Sequence, residues 1–210
     1  MQINPSIWTP GDYEYIWFAC DKNDRLAMFN NYMTGEIPLS IMQDVNFANT
    51  IERLTQFIFE DQSEYSYYYK NGETILKYYS YLIHKERSQS RLDNIPDRPR
   101  SLNEVLSNIA KYNKKDFVNI CDENLPSRKG LFLFSAIHGY HENEDYPVGY
   151  TGETKIGDYF CYLMPTEYAI LENIPNEFYK VIAKSDTLDF NNVDIIKSQD
   201  INKIFDKVAG

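Results

Sequence analysis

The sequence predicts an α+β domain, with a mixed or antiparallel sheet built from an N-terminal hairpin and C-terminal strands, and three to five helices. Three observations carry this. Short β-branched and aromatic runs stand at both ends, IWFAC and LAMF early, then GLFLFSAI, DYFCYLM and FYKVIAK after residue 129. Between them the apolar period changes from two to three or four. The chain has 210 residues, 43% of them hydrophobic, enough for one well-packed domain over residues 1–210.

The first hairpin turns at Asp21-Lys22-Asn23-Asp24. A calcium loop started at Asp21 would place Arg25 fifth, Leu26 sixth and Tyr32 twelfth. Those positions need an oxygen ligand, a glycine and a bidentate glutamate. Asp and Asn bond their own backbone and tolerate left-handed dihedrals, so the segment reads as a turn. After Pro38, Ser40 and Gln43 have the capping-box spacing. Ile41, Val45, Ala48, Ile51, Leu54 and Ile58 then predict one amphipathic helix of about five turns.

Ile75, Tyr78, Tyr79, Leu82 and Ile83 form a helical stripe beginning after Asn71-Gly72, with a hairpin across that pair as the alternative. Residues 88–100 read as a loop or linker. Ser101 and Glu104 then cap a short helix with Leu102, Val105, Leu106 and Ile109 on one face. Strands follow at 130–137, 158–164 and 178–184. PTEYAILEN reads as a short helix with Pro165 in its first turn. Ile201, Ile204, Phe205 and Val208 line a last helix.

Charge narrows the function. Thirty-one acids against 21 bases give a net −10. Such a surface repels phosphate backbones, so no nucleic-acid partner is expected. The one locally basic segment is residues 84–100, where five Lys or Arg face three acids. A basic protein partner fits better, since opposite charges speed encounter and favour docking. Solubility is the competing explanation of the acidity. No apolar run approaches the ~20 residues of a membrane helix, and the opening lacks the pattern of a secretory signal. Cys20, Cys121 and Cys161 lie far apart in apolar runs, as reduced buried thiols would. The expected location is therefore cytoplasmic.

The densest set of chemistry-bearing residues is His138-Gly-Tyr-His141-Glu142-Asn-Glu144-Asp145. Two readings stand open. His138, His141 and Glu142 could hold a metal in a hydrolase, although Gly139 and Pro147 argue for a loop and no third histidine is near. Alternatively, Tyr140, Glu142, Glu144, Asp145 and Tyr146 form a partner-binding loop, with tyrosine giving contact area at low entropic cost. The second is preferred, with no cofactor and no catalytic residue assigned. Eighteen tyrosines, crowded at 65, 67–69, 78, 79 and 81, also suit a recognition surface. No phosphate-binding glycine motif and no hydrolase signature occurs, and a regulatory domain with an unknown ligand is the remaining alternative.

WFACDKNDRLAMFNNYMTGEIP resembles the opening of bacterial immunity-type proteins of polymorphic toxin systems. There a Trp-containing strand leads to an Asp-containing turn, an apolar strand ending in Phe and a later Pro. The matching residues here are Trp17, Asp21, Phe29 and Pro38. KGLFLF, Tyr146-Pro147 and DYFCYLMP are similar to the second half of such proteins, with GYTGETKIG standing where a further strand is expected. The resemblance implies a cytosolic inhibitor that binds a cognate toxin and performs no chemistry.

Overall fold

Strands β1 (Ile16–Cys20) and β2 (Leu26–Asn30) form the predicted antiparallel hairpin, with Cys20 opposite Leu26 across the turn. The computed structural model describes residues 14–61, 72–80, 103 and 125–210. Within the turn, Asp21 Oδ1 accepts from the N–H groups of Asn23 (2.8 Å) and Arg25 (3.0 Å), while Oδ2 accepts from Phe190 N–H (3.0 Å). Both carboxylate oxygens are thus spent on backbone, and Asp24 takes the left-handed φ of 58°.

Eight further strands follow: β3 (Thr74–Leu76), β4 (Tyr79–Ser80), β5 (Phe132–Ala136), β6 (Pro147–Val148), β7 (Tyr159–Pro165), β8 (Ile182–Lys184), β9 (Ile195–Ile196) and β10 (Lys207–Val208). The main sheet runs β10-β8-β1-β2-β5-β7-β3. The β1–β8 and β2–β5 pairs are parallel and the others antiparallel, so the sheet is mixed and the fold is α+β. Strands from residues 16–30 and 132–208 interleave in it. The far edge of β7 is shared, β9 pairing with its start and β3 with its end. A smaller β4–β6 pair stands beside the main sheet.

An aromatic stack fixes the centre. Trp17, Phe29 and Phe134 occupy laterally paired positions on β1, β2 and β5. Trp17 lies 3.9 Å from Phe29 and Phe29 lies 4.6 Å from Phe134, centroid to centroid, each pair nearly parallel. Tyr159 and Phe205 meet this stack edge-on. The Tyr159 hydroxyl accepts from Trp17 Nε1 (3.0 Å) and donates to the Glu36 carbonyl (2.9 Å), so a wholly buried phenol keeps its partners. Burial also raises its pKa strongly. A Cβ on Gly35 would come within 2.5 Å of the Tyr159 ring, which explains the glycine.

Several local expectations fail for identifiable reasons. The predicted helix over 41–58 is two: α1 (Leu39–Met42) and α2 (Phe47–Phe59). Asp44 breaks it, its side chain accepting from Asn46 N–H (2.7 Å) and its carbonyl from Phe47 N–H. Lys180 reinforces the break at 2.8 Å and holds the Asp44 carboxyl below its usual range. Ser40 caps nothing; its hydroxyl donates to the Phe205 carbonyl. The helical stripe at 75–83 is instead β3 and β4 as far as residue 80, because the open edge of β7 offers Ile75 and Leu76 ladder bonds. PTEYAILEN is a strap as far as Ile170, with Pro165 ending β7, and only Leu171–Asn173 turn as a short 3-10 helix. FYKVIAK is strand only from Ile182, a 3-10 helix covering Asn176–Val181. Two further helices are α3 (Leu125–Arg128) and α4 (Ile201–Ile204), and α4 is one turn where a longer helix was expected.

Lys129 has its side chain wholly buried. Its ammonium donates to the Ile58 carbonyl at the end of α2 and pairs with Glu60 at 3.1 Å, a cation placed where the helix dipole favours one. The linker at 88–100, the helix at 102–109 apart from Asn103, the tyrosines at 65–69 and 81, and Cys121 lie outside the described residues. No helix among the described residues is long and apolar enough to cross a membrane.

Candidate functional site

The predicted loop leaves the sheet at the end of β5 and returns at the start of β7. Its neck is closed by Ile137 N–H to the Asp158 carbonyl (2.9 Å) and Gly157 N–H to the Ile137 carbonyl (3.0 Å). Beyond the neck, two carboxylates shape the backbone. Asp145 accepts from the Ser80 hydroxyl (3.0 and 3.1 Å) and from His138 N–H (3.1 Å). Glu144 Oε2 accepts from Tyr140 N–H (2.7 Å) and His141 N–H (3.2 Å). Those two N–H donors hold the Glu144 carboxyl below the ordinary glutamate range. Asn143 adopts φ 65° and Gly139 φ 134° to complete the turns.

The outcome for the predicted residues is divided. Tyr140 stands 89% exposed, and Glu142 beside it is exposed with His141 and Asn143. Glu142 and Tyr146 line a cleft of about 1010 Å³. Glu144 spends its charge on its own loop. Asp145 differs from the expectation: it is 2% exposed and serves as an internal anchor that ties the loop to Ser80 of β4, so it is not displayed for docking. The predicted metal set does not assemble either. His138 is half-buried, its Nδ1 3.4 Å from the Tyr32 carbonyl and its ring 6.1 Å from Tyr32, while His141 is exposed. Among the described residues no three His, Cys, Asp or Glu side chains gather where a metal ion could be held.

The rest of the cleft comes from residues far apart in the chain, among them Tyr150, Glu153, Lys155, Lys197 and Ser198. At its base Asp158, 3% exposed, accepts from Lys197 Nζ (2.9 Å), Lys155 N–H (3.0 Å) and Ser198 N–H (3.0 Å). Lys197 also donates to the Glu153 carbonyl (2.7 Å). A carboxylate bonded to three donors, one of them an ammonium, is a brace rather than a poised base. Tyr150 meets Tyr78 edge-on at 5.6 Å, and burial followed by the nearby Asp194 pushes the Tyr78 phenol up to about 12.

The loop is legible in the sequence, but the residues it packs against are not. Lys197 and Asp158 are 39 residues apart, and nothing local marks them as a pair. The usable signal was weaker: GETKIGD places Gly157 and Asp158 directly before an apolar strand, where a turn must close. The thiols of Cys20 and Cys161 play no part in the site; both are buried, and burial raises each to about 12. Compared with known protein families, with curated proteins and with solved structures, the chain matches none.

Proposed function

We propose that the chain is a non-enzymatic, cytosolic binding protein of the immunity type, which masks a basic toxin through the loop end of its sheet. The carrying observation is the pre-organised loop, which presents Tyr140 at 89% exposure beside Glu142 while Asp145 and Glu144 tie it down. A loop already ordered loses less entropy on docking. Charge supports the choice of partner. The described residues hold 22 of the 31 acids and 12 of the 21 bases, so the whole excess of ten lies among them. At least nine of those twelve cations already sit in ion pairs, so the surplus charge of the described residues is acidic.

The test is capture from the native host with the parent chain and with a Tyr140→Ala/Glu142→Lys variant. A basic protein retained by the parent, lost by the variant and silenced in a one-to-one mixture is the expected result. A partner that stays fully active in the complex, or that both chains retain equally, would reject the reading.

A further inference from the structure

The opposite end of the sheet carries a second surface. After β7 the chain crosses the sheet as a strap: Ala169 N–H bonds the Gly130 carbonyl (2.9 Å), Leu26 N–H the Ala169 carbonyl (2.9 Å), and Leu171 N–H the Asp24 carbonyl (2.9 Å). Glu73 N–H donates to Thr166 Oγ1 (2.9 Å) and Thr166 N–H to the Glu73 carbonyl (3.1 Å), which joins β3 to the strap. Seven large hydrophobic side chains are exposed among the described residues, and three of them lie along this end of the sheet: Ile75 on β3 (51%), and Tyr168 (42%) and Ile170 (37%) on the strap. Glu73, Glu167 and Glu172 are exposed beside them.

The platform under this surface is rigid. Tyr168 stacks on Phe132 at 5.4 Å, and the Arg25 guanidinium sits 4.6 Å from its ring centre. Arg25 is itself held by Asp189 at 2.8 Å, and the neighbouring Lys184 by Asp24 at 2.7 Å. Arg128, whose carbonyl accepts from Gly72 N–H, adds a single positive charge nearby. Lys22 likewise faces Asp189 at 3.7 Å, so among the described residues the exposed carboxylates Glu73, Glu167 and Glu172 outweigh the local cations.

We propose that this strap end docks a cationic amphipathic segment of another protein, its lysines or arginines meeting Glu73, Glu167 and Glu172 and its apolar side chains covering Ile75, Tyr168 and Ile170. Charge complementarity selects that occupant. Phosphate-bearing surfaces are repelled, and a second copy of this chain would set the same carboxylates against each other. The surface is separate from the loop end, so the two readings stand or fall independently.

The experiment titrates the isotope-labelled full chain with a synthetic leucine–lysine amphipathic peptide, using the same peptide with glutamate for lysine as control. Amide shifts centred on residues 73–75 and 166–172 are expected with the cationic peptide alone. Glu73→Gln/Glu167→Gln/Glu172→Gln and, separately, Ile75→Ser/Ile170→Ser should each weaken binding about tenfold. All five positions are exposed, so folding should survive, and Tyr140→Ala should bind as the parent does. Shifts spread evenly over the acidic surface, shifts centred on residues 140–153, or unchanged affinity in both multiple variants would overturn the proposal. Concentration-dependent self-association moving these same residues would overturn it too.

Discussion

The two ends of the sheet, ~20 Å apart along β7, solve the same problem with different bonds. At the loop end, side chains hold the backbone: Asp145, Glu144 and Asp158 accept N–H groups that no strand partner reaches. At the strap end, backbone holds backbone, through the bonds linking Asp24, Leu26 and Gly130 to residues 169–171. The loop end can therefore change its exposed residues without losing its shape. The strap end has little freedom in its path and varies only in what it shows to solvent.

Glycine substitutions should separate the ends most sharply. A Cβ on Gly130, at φ 101°, would lie 2.3 Å from Ala169 N, a backbone atom that cannot yield. Gly130→Ala should cost about 3 kcal/mol or more, read by denaturant unfolding. A Cβ on Gly139, at φ 134°, would first meet the flexible side chain of Glu144 at 3.0 Å. Gly139→Ala should cost about 1–2 kcal/mol, and an equal loss at both sites would erase the distinction.

Buried polar anchors come next. Asp145→Ala leaves the Ser80 hydroxyl and His138 N–H without their acceptor and should cost about 2–3 kcal/mol. Tyr159→Phe strips partners from Trp17 Nε1 and the Glu36 carbonyl in the core, and about 2 kcal/mol is expected. If Asp145→Ala unfolded as the parent does, the anchoring role given to it would be wrong.

Acid titration should distinguish the ends more gently. The folded Glu144 carboxyl titrates below its ordinary value of 4.5, because Tyr140 and His141 N–H groups favour the charged form. Its contribution is therefore complete above about pH 4.5 and is lost as pH falls through the depressed folded value. The Tyr140 and His141 amide signals should move in that acid window, while those of the buried Leu131 and Phe132 beneath the strap stay still. The smallest effect is chemical: with thiols raised to about 12, Cys20 and Cys161 should resist alkylation at pH 8 until the chain unfolds.

Legibility followed the range of the interactions. The hairpin, its Asp21 turn and the cores of β5 and β7 could be read because alternation and turn chemistry act within a few residues. Exposure of the 140–143 tip was legible for the same reason. Asp145 looked like its acidic neighbours and differs only because Ser80, 65 residues away, arrives to bond it. The Ile75 stripe fitted a helix until β7 supplied an edge, and the strap looked helical until three strand ends claimed its backbone.

By itself, then, the sequence determined an acidic α+β chain with an aromatic sheet centre and a polar loop after β5, because pattern and composition are local properties. Tertiary structure alone decided which carboxylates become braces and which stay on display, and that the display occurs at both ends of one sheet. A carboxylate's role depends on which donors reach it, and here those donors come from strands distant along the chain.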